Sequence, residues 1–268
     1  MVRNVRAAEF ETVPRAVLAV GNDYPAGFEV APHKHRRGQL LYATSGVMLV
    51  GTVAGTWLVP PDQAVWIPPW TLHSMRSTGM PLGTRNLFIE PDAIDGLPED
   101  CRVVRITPLM RALVLEAVDL PLEYEAEGRG GLIMNLLLHE LRSLPVQPMN
   151  LPMPASGPLA DLCHAFALAP DPHATIDDWC LRLAMSRRSF TRAFRAGTGI
   201  SFAQWRQRAC LFAAMPRLGQ GEPVTRVALD LGYDSVAAFT TMFRRLLGDA
   251  PSRYFRQVAD GHWPAAQA

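Results

Sequence analysis

Two segments near the C-terminus repeat each other, and this repeat limits the fold more than any other feature of the chain. The aligned positions carry apolar, aromatic or glycine residues: Trp179, Leu183, Phe194, Gly199 and Trp205 fall opposite Val227, Leu231, Phe243, Gly248 and Tyr254. The alignment slips by one position inside the second helix. Each copy has the pattern of a short helix, a turn and a second helix, so the segment predicts two helix-turn-helix units.

The helices of this segment are predicted from capping residues and apolar periodicity. They cover Ile176–Leu183, Arg187–Arg195, Phe202–Leu218, Val224–Leu231 and Val236–Arg245. Thr175 and Ser186 are the expected N-caps of the first unit, and either Asp234 or Ser235 is expected to cap the second helix of the other unit. The second helix of each unit carries two phenylalanines on one face, which are Phe190 with Phe194 and Phe239 with Phe243.

The other faces of these second helices are polar, and a paired unit of this kind is suited to enter two successive major grooves of DNA. Arginine can donate two parallel hydrogen bonds to guanine. We therefore predict DNA contacts from Ser186, Arg187, Arg188, Ser189, Thr191 and Arg192 in the first unit and from Ser235, Val236, Ala237, Thr240, Thr241 and Arg244 in the second. For Arg195, Arg217 and Arg226 a solvated helix face is the preferred interpretation.

The charge distribution agrees with a nucleic-acid partner for the C-terminal part. Residues 158–268 contain 13 basic and 9 acidic side chains, whereas residues 1–157 contain 13 and 16. The basic excess therefore lies with the repeat, as DNA binding requires.

The repeat resembles the C-terminal domain of the AraC/XylS family of bacterial transcriptional regulators. The matching stretches run from Met185 to Gly199 and from Gly232 to Arg256, and the second ends in the pattern Gly-x-x-Pro-Ser-x-x-x-Arg. The resemblance covers about residues 159–257. It implies a double-stranded DNA operator as partner, RNA polymerase as a further partner, and a role as an activator or repressor.

The chain from about Gly21 to Glu90 has the pattern of a small β-barrel or sandwich. Short runs rich in branched and aromatic residues are separated by Gly, Pro, Asp and Ser at regular intervals. Two helices are predicted to follow, at Thr107–Leu120 and Gly131–Ser143. The apolar stripe from Leu132 to Leu144 on the second helix either packs on the barrel, contacts a second copy of the chain, or does both.

Four polar residues in the β region resemble the two motifs of the cupin superfamily. His33, His35 and Gln39 match the first motif, with Gln where that family usually has Glu, and His73 matches the second. Alternation by two predicts that His33 and His35 point to one face of a strand. The set is expected to converge in an effector pocket that also includes Tyr42 and Trp66.

Two interpretations of the histidine set stay open at this point. Three imidazoles and one oxygen can hold Zn²⁺, Ni²⁺, Fe²⁺ or Mn²⁺. Gln39 in place of Glu removes the one anionic ligand, and this favours a metal-free pocket for a small-molecule effector. We therefore expect that no cofactor is required, with a divalent metal at His33, His35, Gln39 and His73 as the alternative.

These patterns predict a two-domain chain. An all-β cupin barrel with appended helices, residues 1–144, senses a ligand and forms a homodimer. A proline-rich linker follows at 145–158, and an all-α DNA-binding domain with two helix-turn-helix units covers 159–260. The predicted function is sequence-specific transcriptional regulation in response to an effector, without catalysis.

Two other classes of protein compete with this prediction. A cupin oxygenase or isomerase with an accessory DNA domain conflicts with Gln39 and with Ser77 where Asn is usual. A DNA-repair protein with a reactive cysteine needs an activated thiol, and none of Cys101, Cys163, Cys180 and Cys210 has an evident setting of that kind. The N-terminus lacks a signal-peptide pattern and no apolar stretch is long enough to span a bilayer, so we expect a cytoplasmic protein without a membrane partner.

Overall fold

The computed structural model describes residues 12–93 and 95–259, and they form two compact units. The first unit comprises Met1–Thr52 and Trp57–Met149, and the second comprises Val53–Thr56 and Asn150–Ala268. The predicted domain limits at residues 1 and 260 lie outside the described residues, as do the N-terminal residues used for the compartment prediction.

The first unit is built mainly from antiparallel strands. They are β1 Val17–Tyr24, β2 Glu29–His33, β3 Gly38–Ser45, β4 Met48–Thr52, β5 Gly55–Val59, β6 Gln63–Ile67, β7 His73–Ser77, β8 Leu82–Ile89, β9 Arg102–Arg105 and β10 Val146–Gln147. One sheet has the order β1-β8-β3-β6-β9-β10, and β5-β4-β7-β2 are neighbours in the other. β3 pairs with both β8 and β6, so Gln39 lies beside Phe88 on one side and Ile67 on the other.

Two helices cover one face of the six-stranded sheet. They are α1 Pro108–Ala117 and α2 Arg129–Leu141, so the second begins and ends two residues earlier than predicted. Thr107 caps α1 by accepting a hydrogen bond from the Met110 N–H at 3.1 Å, as its sequence predicts. The core beneath the helices includes Leu40, Tyr42 and Trp66 from the sheet, together with Met110 and Leu137 from the helices.

The second unit is helical. After the short strand β11, Asn150–Pro152, it contains α3 Pro158–Leu168, α4 Ile176–Arg182, α5 Arg187–Thr198, α6 Phe202–Gly219, α7 Val224–Asp230, α8 Val236–Leu247 and α9 Pro251–Ala259. The five predicted helices are therefore present, and α5 and α8 run further than predicted. α3 and α9 had no separate sequence prediction.

The proline-rich segment predicted as a linker, residues 145–158, contains two short strands. Val146–Gln147 form β10, which pairs with β9, and Asn150–Pro152 form β11. Within the second unit, the Trp205 indole N–H donates to the Pro152 carbonyl at 2.7 Å, and the Arg208 guanidinium donates to the Asn150 carbonyl at 2.9 Å. These bonds hold β11 against α6, so this part of the segment is fixed to the helical unit.

The two helix-turn-helix units have the same turn geometry and different cores. The turn residue is Ala184, with φ 51°, in the first unit and Gly232, with φ 86°, at the equivalent position of the second. In the first helix-turn-helix unit, Trp179 contacts the rings of Phe190, Phe194, Phe202 and Trp205. In the second helix-turn-helix unit the ring contacts join Tyr233, Phe239, Phe243, Tyr254 and Phe255, without a tryptophan. The first helix-turn-helix unit is thus packed around a tryptophan, and the predicted pair Phe190 and Phe194 is buried in this cluster.

Candidate effector cavity and nucleic-acid interface

Three histidines converge in the first unit. His33, the last residue of β2, pairs across the sheet with His73, the first residue of β7, and their ring centroids are 4.4 Å apart. His35 lies in the connection between β2 and β3, 5.1 Å from His73. The expected alternation of His33 and His35 along one strand is wrong, because β2 ends at His33. The two rings still reach the same cluster because the chain turns toward β3.

Each histidine is oriented by a backbone carbonyl. The Nδ1 atoms of His33, His35 and His73 lie 3.0, 2.7 and 2.8 Å from the carbonyl oxygens of Ala31, Arg37 and Thr71. A carbonyl can only accept, so each Nδ1 carries the hydrogen and the neutral ring keeps a lone pair on Nε2. The arrangement is the one that holds histidine ligands in metal sites, and the ligand atoms of the cluster lie within 4.8 Å of one another.

Burial keeps the innermost ring neutral. His73 is almost fully buried, and burial lowers its pKa from 6.5 to about 4, with the neighbouring His33 and His35 acting in the same direction. The Gln39 side chain completes the set, because its Oε1 atom lies 3.2 Å from His35 Nε2. With the hydrogen of a neutral His35 on Nδ1, a hydrogen bond forms here when the Gln39 amide turns its nitrogen to the ring, and a ring with hydrogens on both nitrogens donates to Oε1 directly.

The cluster borders a cavity of about 810 Å³ that receives side chains from both sheets. Its wall combines apolar side chains with neutral polar ones, and two acidic residues also line it. The lining residues are Asn22, Asp23, Tyr24, Pro25, Phe28, Glu29, Val30, Ala31, His33, Gln39, Leu41, His73, Met75, Asn86 and Phe88. A cavity of this size, largely apolar with a few convergent polar groups, has the properties of a small-molecule site.

Two aromatic residues predicted for the pocket lie elsewhere. Tyr42 and Trp66 belong to the core beneath α1 and α2, where the Tyr42 hydroxyl contacts Asp62 at 3.1 Å and the Trp66 indole N–H donates to the Pro98 carbonyl at 2.8 Å. The reason is strand alternation: Gln39 and Leu41 face the cavity, so Tyr42 faces the other side of β3.

The sequence interpretation missed several lining residues that share a simple signal. Met75 follows His73 by two on β7, Leu41 follows Gln39 by two on β3, and Asn86 and Phe88 are two apart on β8. Extending the period of two from the motif residues would have found Met75 and Leu41. No residue of either cupin motif lies on β8, so the period of two has no starting point on that strand.

The first recognition helix, α5, presents a basic groove. Arg187, Arg188, Thr191, Arg192 and Arg195 line it together with Ile176. Arg195, for which a solvated face was preferred, therefore shares the groove with the predicted DNA-contacting arginines. Ser186 caps the helix by accepting from the Ser189 N–H at 3.2 Å, and its hydroxyl also contacts the Ser189 hydroxyl.

One arginine of this groove is held by a neighbouring helix. Arg187 Nε and Nη2 donate to the two carboxylate oxygens of Asp177 on α4, at 2.5 and 2.8 Å. The paired geometry leaves only the far edge of this guanidinium for another acceptor. Arg188 and Arg192 are exposed and make no ion pair with any residue that the structure describes.

The second recognition helix, α8, offers a different surface. Ser235 caps it by accepting from the Ala238 N–H at 3.1 Å, so Ser235 and not Asp234 is the N-cap. Ala237, Thr241 and Arg244 are exposed, whereas Val236 and Thr240 are half-buried. The Thr241 hydroxyl donates to the Ala237 carbonyl at 2.8 Å. The first charged residue of α8 is Arg244, so most of this surface is uncharged.

Three of the four cysteines lie in settings that do not activate a thiol. All four are free, and burial raises the pKa of Cys101 and Cys163 to about 12 and that of Cys210 to about 11. A raised pKa leaves the thiol protonated and weakly nucleophilic at neutral pH, which argues against the repair-protein alternative. Among the described residues, no helix has the length and apolar character needed to cross a membrane.

A ligand-binding barrel joined to a paired helix-turn-helix unit defines a DNA-binding regulator with its own sensor domain. Residues 16–139 match the family model of the AraC-like ligand binding domain, and residues 179–257 match that of a helix-turn-helix domain. The HTH-type transcriptional regulator NimR of Escherichia coli strain K12 is 36% identical over 226 residues, which cover 84% of this chain and 82% of NimR. The chain therefore belongs to the AraC family of bacterial transcriptional regulators.

Two further proteins are similar. The HTH-type transcriptional regulator RipA of Corynebacterium glutamicum is 28% identical over 105 residues, covering 38% of this chain and 31% of RipA. The structure of ToxT from Vibrio cholerae strain SCE256, bound to an unsaturated fatty acid, has a TM-score of 0.39 and 13% identity, covering 92% of this chain and 98% of ToxT.

Membership of a family of DNA-binding regulators also decides against the enzyme alternative.

Proposed function

We propose that the effector of this regulator binds in the 810 Å³ cavity of the first unit and that occupancy of the cavity changes the response at the operator. The observation that carries the proposal is the convergence of His33, Gln39 and His73 at a largely apolar cavity between two sheets. The polar groups would fix the orientation of a ligand, and the apolar wall would supply most of the binding free energy.

A cavity-filling variant tests this assignment. Ala31 lines the cavity and is exposed, so Ala31→Trp would narrow the site without overpacking the core. A compound library is first screened for molecules that raise the melting temperature of the full chain. Compounds that bind in the cavity should lose this effect in Ala31→Trp and keep it in Ala203→Trp, a matched change at an exposed site on α6. If the compounds raise the melting temperature of both variants equally, their binding site lies outside this cavity.

A matching test at the promoter uses the histidines. His35→Ala and His73→Ala should lose the transcriptional response to such a compound and keep nearly full operator affinity, because both residues lie in the first unit. His164→Ala, at an exposed position of α3, is the control. An unchanged induction ratio in both cavity variants would remove the histidines from the mechanism.

For the sensor we propose a site that requires no resident metal. The Nε2 atoms of His33, His35 and His73 with Gln39 are the groups that would hold a divalent ion. All four ligands are neutral, so the charge of the ion would have no compensation in the cluster. Elemental analysis of the purified full chain should find far less than one ion per chain. One zinc, iron, nickel or manganese per chain, lost in His73→Ala, would contradict this.

For DNA recognition we propose that α5 and α8 enter successive major grooves of the operator. The basic groove around Arg188 and Arg192 supports base contacts from α5, and the small and hydroxyl side chains of α8 support contacts to thymine methyls and phosphates. The residues proposed for α5 are Ser186, Arg187, Arg188, Ser189, Thr191 and Arg192, and those for α8 are Ser235, Val236, Ala237, Thr240, Thr241 and Arg244. Hydroxyl-radical footprinting should show two protected regions about one helical turn apart.

We also propose a homodimer through the exposed face of α1 and α2. Leu109, Leu132 and Leu136 are 49%, 69% and 41% exposed in the single chain, and burying them against a second copy would remove this apolar surface from water. Leu132→Glu and Leu136→Glu should shift the chain to a monomer in sedimentation experiments. Leu168→Glu, on α3, changes an 88% exposed leucine and should not. A wild-type monomer at micromolar concentration would contradict the dimer.

A transcriptional regulator acts where the chromosome and RNA polymerase are, so we place this protein in the bacterial cytoplasm with RNA polymerase as a further partner. Support comes from the family membership alone. Co-purification of polymerase subunits with the operator-bound chain, and their absence with an operator-free control, tests the partner. Transcription in vitro with purified polymerase then distinguishes activation from repression.

A further inference from the structure

The wall of the cavity carries a buried hydrogen-bond acceptor that has no donor among the described residues. Asn86 is 2% exposed and lines the cavity, and its Oδ1 atom is buried without a hydrogen-bond partner among the described residues. The orientation of this amide follows from its neighbours. The Thr84 hydroxyl donates to the Asn22 carbonyl at 3.2 Å, so Thr84 accepts from Asn86 Nδ2 at 3.4 Å. The Asn86 oxygen is therefore the group left without a donor.

The histidines add further acceptors to the same wall. His33 and His73 both line the cavity, and the Nδ1 hydrogen of each is used by the carbonyl of Ala31 or Thr71. In the neutral form of each ring, the Nε2 atom presents a lone pair and no hydrogen. A buried acceptor without a donor costs free energy, so a ligand that brings a donor to Asn86 Oδ1 recovers that cost.

The remaining charges of the cavity have one sign. Asp23 and Glu29 line it, and none of the described lining residues is Lys or Arg. Asp23 is paired with Arg85 at 3.1 Å, whereas the Glu29 carboxylate makes no hydrogen bond or ion pair with the described residues. A carboxylate ligand would meet acceptors and negative charge here, and a protonated amine would meet partners for all its hydrogens.

We propose that the effector is an apolar primary amine that binds as its ammonium ion. This inference rests on the cavity proposed above as the effector site and adds the class of ligand. The ammonium group, with its three donors, faces the acceptors of this wall and donates to Asn86 Oδ1, and the apolar part of the molecule lies against side chains such as Phe28, Leu41 and Phe88. Glu29 adds attraction at longer range.

Three molecules of nearly equal size test the ligand class in calorimetric titrations of the full chain: 2-phenylethylamine, 2-phenylethanol and phenylacetate. The amine should bind at least about tenfold more tightly than phenylacetate, because charge-assisted hydrogen bonds favour the first and repulsion opposes the second. The alcohol, with one donor, should fall between them.

Two variants connect the preference to the residues. Asn86→Leu should weaken amine binding by about tenfold. Because Asn86 is buried and its variant risks misfolding, Glu29→Gln at an exposed position provides a second measurement. It should weaken the amine severalfold and leave the alcohol unchanged, and Glu123→Gln, an exposed change outside the lining residues, should alter neither.

The outcomes separate the ligand class from the site. If phenylacetate or the alcohol binds as tightly as the amine and Ala31→Trp abolishes that binding, the cavity stands and the amine class is overturned. Amine binding that survives Ala31→Trp overturns both. If 2-phenylethylamine does not bind, the amine class is overturned. The same holds if its binding is lost after dialysis against a chelator and restored by zinc, because the histidine lone pairs would then coordinate a metal ion.

Discussion

The arginines of α5 differ at the scale of single residues, although the sequence presents them as one basic run. Arg187 is held by Asp177 through two hydrogen bonds, whereas Arg188 and Arg192 make no ion pair within the described part of the chain. A free guanidinium on an exposed helix face can adopt the geometry that guanine requires without first losing a partner. Arg188 is therefore the best placed of the three for base readout.

Replacing Arg188 by Ala should cost about 1–3 kcal/mol in operator binding and relax the preference at one guanine. Arg226→Ala, on α7 and outside the α5 groove, should leave the preference unchanged. Selection of binding sites from a randomised DNA pool measures both effects. Wild-type preference in Arg188→Ala would show that this residue contacts only the backbone or solvent.

His73 makes folding stability depend on pH. Its pKa is about 4 in the folded chain, against 6.5 for an unperturbed histidine, so between these values the unfolded chain takes up a proton that the folded chain does not. The free energy of unfolding should therefore fall as the pH decreases from about 6.5 toward 4. His73→Gln should show a shallower fall in urea titrations across this window, and His164→Gln should match the wild type. Equal slopes for all three would contradict the burial of a neutral ring.

At the scale of elements, the apolar stripe of α2 divides into two parts with different tasks. Leu137, Leu138 and Leu141 are at most 6% exposed and belong to the core, whereas Leu132 and Leu136 face solvent. The apolar stripe in the sequence is wider than one contact needs, so it fits both packing on the barrel and contact with a second copy of the chain. Periodicity does not reveal which edge meets the sheet, because that depends on how α1 and α2 pair.

Leu137→Ala should lower the free energy of unfolding by about 2–5 kcal/mol, the usual cost of a cavity in a packed core. Leu136→Ala, at the neighbouring exposed position, should change it by less than about 0.5 kcal/mol at protein concentrations that keep the chain monomeric. Chemical denaturation of both variants tests the division. Similar losses would place the two leucines in the same environment.

Predictability also varies among elements. The helices of the second unit were predicted closely because caps such as Thr175, Ser186 and Ser235 are local signals that need no tertiary partner. No apolar run indicates β7, because its sequence, His-Ser-Met-Arg-Ser, has little β-propensity and is held by pairing with β2 and β4. Only the position of His73 in the cupin motif predicted a strand there. β10 and β11 were missed because they also lack an apolar run.

At the scale of the whole molecule, sequence repeats and motif spacing were enough for the two-domain organisation and the family. The candidate cavity was predicted only in part: His33, Gln39 and His73 line it, His35 belongs to the adjoining cluster, and Tyr42 was assigned to the wrong face of β3. Alternation from Gln39 along β3 places Leu41 on the cavity face and Tyr42 on the opposite face, so this error was avoidable from the sequence. Asn86 lies on a strand without any motif.

The unequal distribution of charge between the units predicts where salt dependence arises. Arg192→Gln should reduce the steepness with which operator affinity falls with salt by about one unit of logarithmic slope, because one phosphate or base contact is lost. His73→Ala should leave the slope unchanged. Fluorescence anisotropy with labelled operator at several salt concentrations measures this. An unchanged slope in Arg192→Gln would place that side chain away from DNA.

The two faces of α5 have separate roles, because one packs in the core and the other is exposed. Phe190 and Phe194 are fixed by the aromatic cluster around Trp179, while Arg188, Thr191 and Arg192 are exposed and pack in no core. Substitutions on the exposed face therefore carry little penalty for folding. A duplicated gene for this regulator would thus acquire a new operator through a few changes on one helix face, with its sensor and its fold retained.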